Sequence, residues 1–289
     1  MAHILLAGCG KLGEALGTLL QQQGHQVTGI RRSKVEMPFP CLQMDLTQPE
    51  SIHLPQQVDY VVYTTTPSER SDQGYQQAYV NALTHLLDAL QDKPVKHFFF
   101  VSSTAVYHQN DGSWVDENSP TQPPAFNGKR VLEGEQLAGQ CSIPSTCVRF
   151  GGIYSPQRNW LIRRVQKGAD IQITPPKYTN RIHQDDCVGL LAFLIGLREQ
   201  GQALSPCYVA VDDAPASEEE IYNWLAQALN APKPQQKSPK NTDTPNNPVN
   251  QNKRCSNALI KALGYTFLYP SYKQGYQHNI DTIKAEETP

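Results

Sequence analysis

Short apolar runs recur along the chain, separated by longer stretches of helical period, and that rhythm predicts the elements. After His3, the run Ile4-Leu5-Leu6-Ala7 is apolar without a break and reads as a strand. Leu12, Leu16, Leu19 and Leu20 then fall on one helical face, and Gly24 closes that helix. Residues 26–30 read as a second strand, 41–44 as a short third and 59–63 as a fourth. A long helix is predicted over 73–90, with Ala78, Leu83, Leu86, Leu87 and Leu90 inward. Residues 97–101, HFFFV, are apolar at every position, as a strand buried on both faces must be. A polar, proline-rich loop over 108–124 leads to a helix over 128–139 and a sixth strand over 146–150. Beyond Gly151 the pattern loosens. It predicts a short helix over 160–166, an apolar helix over 187–197, a strand over 208–211 and an amphipathic helix over 218–229. A segment over 256–263, stopped by Gly264, follows, and the last ten residues are polar and read as a frayed end.

Strands alternating with helices predict an α/β fold, a Rossmann-type doubly wound parallel sheet with a smaller C-terminal substrate-binding subdomain. The expected division is a nucleotide-binding domain over 1–153, its sheet completed by elements within 181–212, and a smaller part over 154–180 and 213–289. Residues 232–252 contain no large apolar residue except one valine, so they read as a mobile surface loop.

The break after the first strand is Gly8-Cys9-Gly10-Lys11-Leu12-Gly13, a G-x-G-x-x-G between two strands and at the head of a helix. Gly8 permits the tight turn, Gly10 lets a pyrophosphate reach the backbone, and Gly13 lets helix and sheet pack closely. The helix N-terminus offers free N–H groups to the phosphates. A dinucleotide site is therefore expected. At the end of the second strand, where an NAD-preferring site carries Asp or Glu, stand Arg31-Arg32-Ser33. Guanidinium groups suit a 2′-phosphate, so NADP(H) is expected over NAD(H).

Composition removes several classes. Formal net charge is −2, which argues against nucleic acid or an anionic membrane as partner. No run of 18 apolar residues occurs, and the first strand begins too early to leave room for a leader, so a cytoplasmic location is expected. The seven cysteines are scattered, odd in number and without CxxC or Cys/His ligand spacing, so neither a disulfide framework nor a metal site is expected.

Several stretches together resemble the extended and atypical short-chain dehydrogenase/reductases, the NAD(P)-dependent epimerase/dehydratase family. They are AGCGKLG, Val101 to Tyr107 (VSSTAVY), Arg149 to Tyr154 (RFGGIY), Arg181 to Asp186 (RIHQDD), Tyr208 to Asp213 (YVAVDD) and Lys253 to Asn257 (KRCSN). The resemblance implies hydride transfer at a carbon bearing a hydroxyl or carbonyl, with a tyrosine as acid/base and a lysine lowering its pKa. It also implies that Asp45 and Leu46 contact the adenine, and that Thr64, Thr65 and Thr66 contact ribose and pyrophosphate. Helices 73–90 and 128–139 resemble the surface that family members use for a dimeric four-helix bundle, which makes a homodimer an expectation.

The chain departs from the family pattern at its centre. Glu117, Pro120, Pro123, Gly128 and Glu135 match without a gap, but Asn127 occupies the tyrosine slot and Val131 the lysine slot. Asn127 has no useful pKa and Val131 no charge. Thr104 matches the family's substrate-orienting Ser/Thr, or it is a strand-end hydroxyl serving local backbone. Tyr107 is a replacement acid or a packed aromatic. Lys129 or Arg130 is a cation near the nicotinamide or an exposed first-turn charge. The substrate candidates are Arg149, Arg158, Asn159, Arg181 and His183, and the guanidinium groups of the three arginines suit a phosphorylated or nucleotide-linked small molecule. Arg149 is alternatively a structural ion-pair partner, and His183 with Asp185 or Asp186 a proton relay or a structural pair. Two readings stay open: an NADP(H)-dependent oxidoreductase or nucleoside-diphosphate-sugar epimerase-like enzyme with a non-standard acid/base, and a non-catalytic dinucleotide-binding sensor or interaction protein.

Overall fold

The apolar run of the N-terminus becomes strand β1 (His3–Ala7), with Ile4, Leu5, Leu6 and Ala7 fully buried. This computed structural model describes residues 1–237 and 252–287. Six further strands join β1 in one sheet: β2 (Gln26–Arg31), β3 (Cys41–Gln43), β4 (Tyr60–Tyr63), β5 (His97–Ser103), β6 (Ser145–Phe150) and β7 (Cys207–Ala210). Their order is β7-β6-β5-β4-β1-β2-β3. β1 pairs in parallel with β2 and β4, as do β2 with β3 and β4 with β5. The chain therefore winds outward from β1 to β3, returns to β4 beside β1, and winds outward the other way. The strand direction of travel reverses between β1 and β4, the place where an open α/β sheet binds ligands.

The chain divides into two compact units, residues 1–106, 121–149 and 188–208, and residues 107–120, 150–187 and 209–289. In the first, helix α1 (Lys11–Gln22) buries Gly13, Leu16, Gly17 and Leu20. At Gly17 a side chain would overlap the ring of Phe39, so the glycine sets how closely Phe39 packs on this helix. The single helix expected over 73–90 is three pieces: α2 (Asp72–Gln76), a π-helical turn over Gln77–Asn81, and α3 (Ala82–Leu90). Helix α4 (Phe126–Gln140) packs on α2, α3 and β5. In the core, Phe98, Phe99 and Phe100 are fully buried, and Tyr63 stacks on Phe98 and Phe100 at 6.3 and 5.8 Å. Burying each such side chain is worth about 1.5–3 kcal/mol, so this patch alone outweighs any single loop contact.

The second unit holds α5 (Trp160–Gln166), the start of α6 (Gln184–Glu199), α7 (Glu218–Ala228), α8 (Ala258–Ala262) and α9 (Tyr272–Glu287). Four short ladders tie it together: Trp114–Val115 with Arg254–Cys255, Gly152–Tyr154 with Arg181–His183, Asp170–Ile171 with Gln235–Gln236, and Tyr178–Thr179 with Ala216–Ser217. Its core joins Leu161, Ile162 and Val165 to Ile221, Leu225, Tyr272, Tyr276 and Ile280.

Three further expectations change. Residues 107–120, assigned from sequence to the nucleotide-binding part, fall in the second unit, where Trp114–Val115 pairs with Arg254–Cys255 and Val209 N–H donates to Glu117 Oε1 at 2.7 Å. The C-terminus is not frayed over 280–287. Tyr272, Tyr276 and Ile280 recur every four residues, and that stripe is buried in the same core as Ile221 and Leu225, which holds α9 as a helix to Glu287. Within the expected loop 232–252, Gln235 and Gln236 form a ladder, and the Gln236 amide oxygen accepts from Ile173 and Thr174 N–H at 2.8 and 3.0 Å. Main-chain pairing needs no apolar side chain, so composition alone does not exclude it. The rest of that loop, 238–251, lies outside the described residues. Among the described residues no helix is long and apolar enough to cross a membrane.

Candidate functional site

A cavity of about 190 Å³ opens in the first unit where β1, β2 and β4 end. Gly8 leaves β1 with φ +81°, and a side chain there would lie within 2.5 Å of the Thr65 backbone nitrogen. Only glycine serves both demands. Gly8 and Cys9 N–H donate to Ile30 O at 3.1 and 2.8 Å, which draws the loop across the end of β2. Gly10 caps α1 without a side-chain partner, and the nearest atom to a side chain placed there is 3.9 Å away. The N–H groups of the first turn of α1 have no intrahelical acceptor, and the helix dipole adds positive charge at the same place. A diphosphate would be received by that backbone. The Cys9 thiol packs against Gly13 and Gly29, and burial pushes it up to about 12, which disfavours the thiolate.

The strand ends supply the rest. Thr64 Oγ1 donates to Gly8 O at 3.0 Å and so braces the glycine loop from behind. Thr65 and Thr66 line the cavity, as do Arg31, Arg32 and Ser33 at the end of β2. Asp45 and Leu46 line it after β3. The Asp45 carboxylate is turned into its own turn, Oδ1 accepting from Thr47 N–H and Oγ1 at 2.9 and 2.8 Å. Of the residues expected at a cofactor, the structure thus brings Gly8, Cys9, Gly10, Arg31, Arg32, Asp45, Leu46, Thr65 and Thr66 around one cavity. Lys11, Leu12 and Gly13 open α1 and Thr64 follows β4, and none of the four is part of that lining. The far wall was not foreseen: Gly74 of α2, Gln77 and Ala78 of the π-helical turn, and Ala82 of α3. A π-helical turn is a frequent companion of functional sites, but apolar period alone does not reveal one.

The candidate catalytic region lies at the end of β5. Thr104 begins a single 3-10 turn and is 9% exposed. Helix α4 abuts the next residue: a side chain at Gly128 would overlap Ala105 O. Asn127 precedes Gly128 on α4 and the buried Val131 follows it by three residues, so neither slot carries a titratable acid or a cation. Arg130 is committed elsewhere, with Nε and Nη2 donating to the two Asp72 oxygens at 2.8 and 2.9 Å and Nη1 to Glu133. Lys129 sits on an exposed shallow depression of α4 with Thr121, Pro123 and Glu133. Arg149 forms a buried pair with Glu135, Nη2 to Oε2 at 2.7 Å, and Ser102 Oγ donates to the same carboxylate. That pair is the structural role its sequence position offered.

In the second unit, Tyr107 is fully buried and its hydroxyl donates to Asp116 O at 2.7 Å. Arg158 is exposed, and Asn159 caps α5. Arg181 and His183 share the ladder strand Arg181–His183 and both meet α9. Arg181 Nη1 donates to Tyr276 Oη at 3.2 Å, and His183 Nε2 lies 2.9 Å from Asn279 Oδ1. His183 is 1% exposed, packed between Tyr154 and Tyr269 rings, and its burial holds the imidazole below its usual pKa. Asp186 is equally buried and accepts from Leu268 and Tyr269 N–H at 2.6 and 3.0 Å, which pins the approach to α9. Burial raises its pKa.

Comparison with known proteins matches this geometry to a family. A profile described as the NAD dependent epimerase/dehydratase family covers residues 4–198. A solved structure described as an NAD-dependent epimerase/dehydratase from Methylobacillus flagellatus is 35% identical, with 98% of this chain and 99% of that one covered and a TM-score of 0.80. Protein YeeZ of Escherichia coli strain K12 is 25% identical over 93% of this chain and 97% of its own length. The UDP-glucuronic acid 4-epimerase of Bacillus cereus, solved in complex with NAD, shares the fold at 18% identity and a TM-score of 0.78, with 98% of this chain and 99% of that one covered. The profile spans the glycine loop, the seven-stranded sheet as far as β6, and helix α4 with its altered catalytic slots. This chain belongs to the NAD dependent epimerase/dehydratase family.

Proposed function

We propose that the chain is an NADP(H)-dependent enzyme of this family, acting on a small anionic substrate that is phosphorylated or nucleotide-linked, with an acid/base group other than the usual tyrosine and lysine. The observation that carries the cofactor choice is the end of β2, where Arg31, Arg32 and Ser33 line the cavity and no carboxylate replaces them. The one acidic lining residue, Asp45, is occupied by Thr47. The Bacillus cereus relative was solved with NAD; the arginine pair is the reason for expecting NADP(H) here. Thr104 is the group assigned to orient the substrate oxygen. Tyr107 ranks behind it because its hydroxyl already serves Asp116. Arg158, Asn159, Arg181 and His183 are the candidates for the substrate's anionic part.

The test is calorimetric titration with NADPH and NADH. A charge-assisted hydrogen bond to phosphate contributes about 1.5–3 kcal/mol, so NADPH should bind about 10- to 100-fold more tightly than NADH. Arg31→Ala should erase most of that ratio, and Arg32→Ala, at an exposed position, less. Equal binding of the two cofactors by the native protein removes the assignment. A second reading, cofactor binding without turnover, is favoured by the buried Val131 in the lysine slot. Reduction of bound NADP⁺ by any member of a nucleotide-sugar panel, lost in Thr104→Ala, decides for the enzyme. We also propose a homodimer through the outer faces of α2, α3 and α4; sedimentation at monomer mass over a wide concentration range rules it out.

A further inference from the structure

The His183 ring is oriented from two sides. Asp185 N–H donates to Nδ1 at 3.3 Å, which requires a lone pair on Nδ1 and leaves the ring proton on Nε2. Nε2 in turn faces Asn279 Oδ1 at 2.9 Å, an acceptor suited to that proton. Asn279 is 0% exposed, and its own Nδ2 has no hydrogen-bond partner among the described residues, so the residue is buried at a cost that a surface amide would not bear. Asp185 Oδ2 also lies 3.5 Å from Nδ1, so one residue sets both a main-chain donor and a carboxylate beside that nitrogen.

A third donor completes the set. Donor atoms of His183, Asp185 and His278 all lie within 4.8 Å of one another. The histidines come from separate elements, His183 from a ladder strand and His278 from α9, and the Tyr269 ring packs against both, at 4.2 and 5.2 Å. Metal–ligand bonds of about 2.0–2.1 Å at tetrahedral angles put ligand atoms about 3.3 Å apart. The His183–Asp185 pair is already near that spacing. His278 is exposed and has room to turn the remaining distance. We propose that His183 Nδ1, Asp185 and His278 bind a divalent first-row transition-metal ion, with Zn(II) the best match, that the ion takes over the Nδ1 lone pair from the long 3.3 Å hydrogen bond of Asp185 N–H, and that Asn279 fixes the orientation of His183 behind it.

The donor set chooses the ion. Two neutral imidazoles and one carboxylate suit Zn(II) and its neighbours, whereas Mg(II) and Ca(II) prefer oxygen throughout. A buried amide holding the far nitrogen of a ligating histidine is the arrangement that raises metal affinity elsewhere. Three protein ligands leave a position open on the exposed side. Bound there, the ion ties α9 to the start of α6 across the second unit. This assignment does not depend on which dinucleotide the first unit holds.

The test is calorimetric titration of chelator-treated full-length protein with Zn(II), followed by the visible spectrum of the Co(II) form. One ion per chain is expected, with Co(II) bands of nitrogen and oxygen ligation and no thiolate charge-transfer band. His278→Ala and Asp185→Ala, both at exposed positions, should abolish the one-to-one step with the fold intact by circular dichroism. His53→Ala, at an exposed site in the first unit, should bind as the native protein does. Asn279→Ala should weaken binding about 10- to 100-fold. No one-to-one binding, equal binding by His278→Ala, or a thiolate band from any of the seven cysteines overturns the proposal.

Discussion

Replacing Gly10 and Gly8 by alanine, one at a time, separates what the glycine loop does for the fold from what it does for the ligand. At Gly8 the backbone is left-handed, φ +81°, and the new methyl would run into the Thr65 backbone. The conformational penalty is about 1–2 kcal/mol and the overpacking about 1–3 kcal/mol, so Gly8→Ala should lose about 2–5 kcal/mol of stability. At Gly10 the backbone is ordinary, φ −88°, and nothing lies closer than 3.9 Å to the added methyl. Stability should stay within about 0.5 kcal/mol of the native value. The methyl would instead stand in the space above the α1 N-terminus that a diphosphate needs. An overlap costing about 1–3 kcal/mol lowers affinity about 5- to 150-fold. Urea unfolding and NADPH titration on both variants read the two quantities. Native affinity in Gly10→Ala would refute the placement of the diphosphate at this backbone. Native stability in Gly8→Ala would refute the steric argument for the turn.

Two further outcomes follow from buried groups. Glu135→Gln removes the charge that neutralises Arg149 inside the first unit, and breaking a buried pair from one side costs about 3–5 kcal/mol; a loss under about 1 kcal/mol in urea unfolding contradicts that assignment. His97 is 4% exposed, hydrogen-bonded to Thr146, and held neutral by burial with its pKa lowered from 6.5 to about 4. The unfolded chain takes up the proton first, so its contribution to stability is present above pH 6.5 and drains away as pH falls toward about 4. His97→Gln should flatten that stretch of the stability–pH curve, and an unchanged slope excludes His97 as its source.

The nucleotide-binding half was legible because its signals are local. A strand, a glycine turn and a helix with leucines on one face sit next to one another, and each needs only its neighbours to be recognised. HFFFV announced a strand buried on both faces, and β5 is one. The empty Tyr and Lys slots were also visible, since Pro120, Pro123, Gly128 and Glu135 fixed the frame. What escaped depends on distant pairing. The ladder of Gln235–Gln236 with Asp170–Ile171 uses main-chain bonds that leave no mark on composition. The apolar stripe of α9 was present as Tyr272, Tyr276 and Ile280, but it is sparse among polar neighbours and is buried only because the α7 residues Ile221 and Leu225 lie in the same core. Arg149 could be read as a ligand or as an ion-pair partner until Glu135 was placed beside it. His278 meets His183 only through the fold, about a hundred residues along the chain, so no ligand spacing could disclose the pair.

The π-helical turn of Gln77–Asn81 also has a rotational consequence. Gly74, Ala78, Ala82, Leu86 and Leu90 are all buried, at steps of four. On an α-helix each such step overshoots a full turn by about 40°, so four of them would swing Leu90 about 160° away from Gly74. A wide turn that absorbs one extra residue gives back about 100° of that drift. Removing one residue from the turn and letting it close to an α-helix would give back the same amount. The surplus residue is therefore invisible to the core beneath α3, and its effect falls on the one surface where Gln77 and Ala78 face the cavity. A change of one residue at this turn thus leaves the packing behind it in phase.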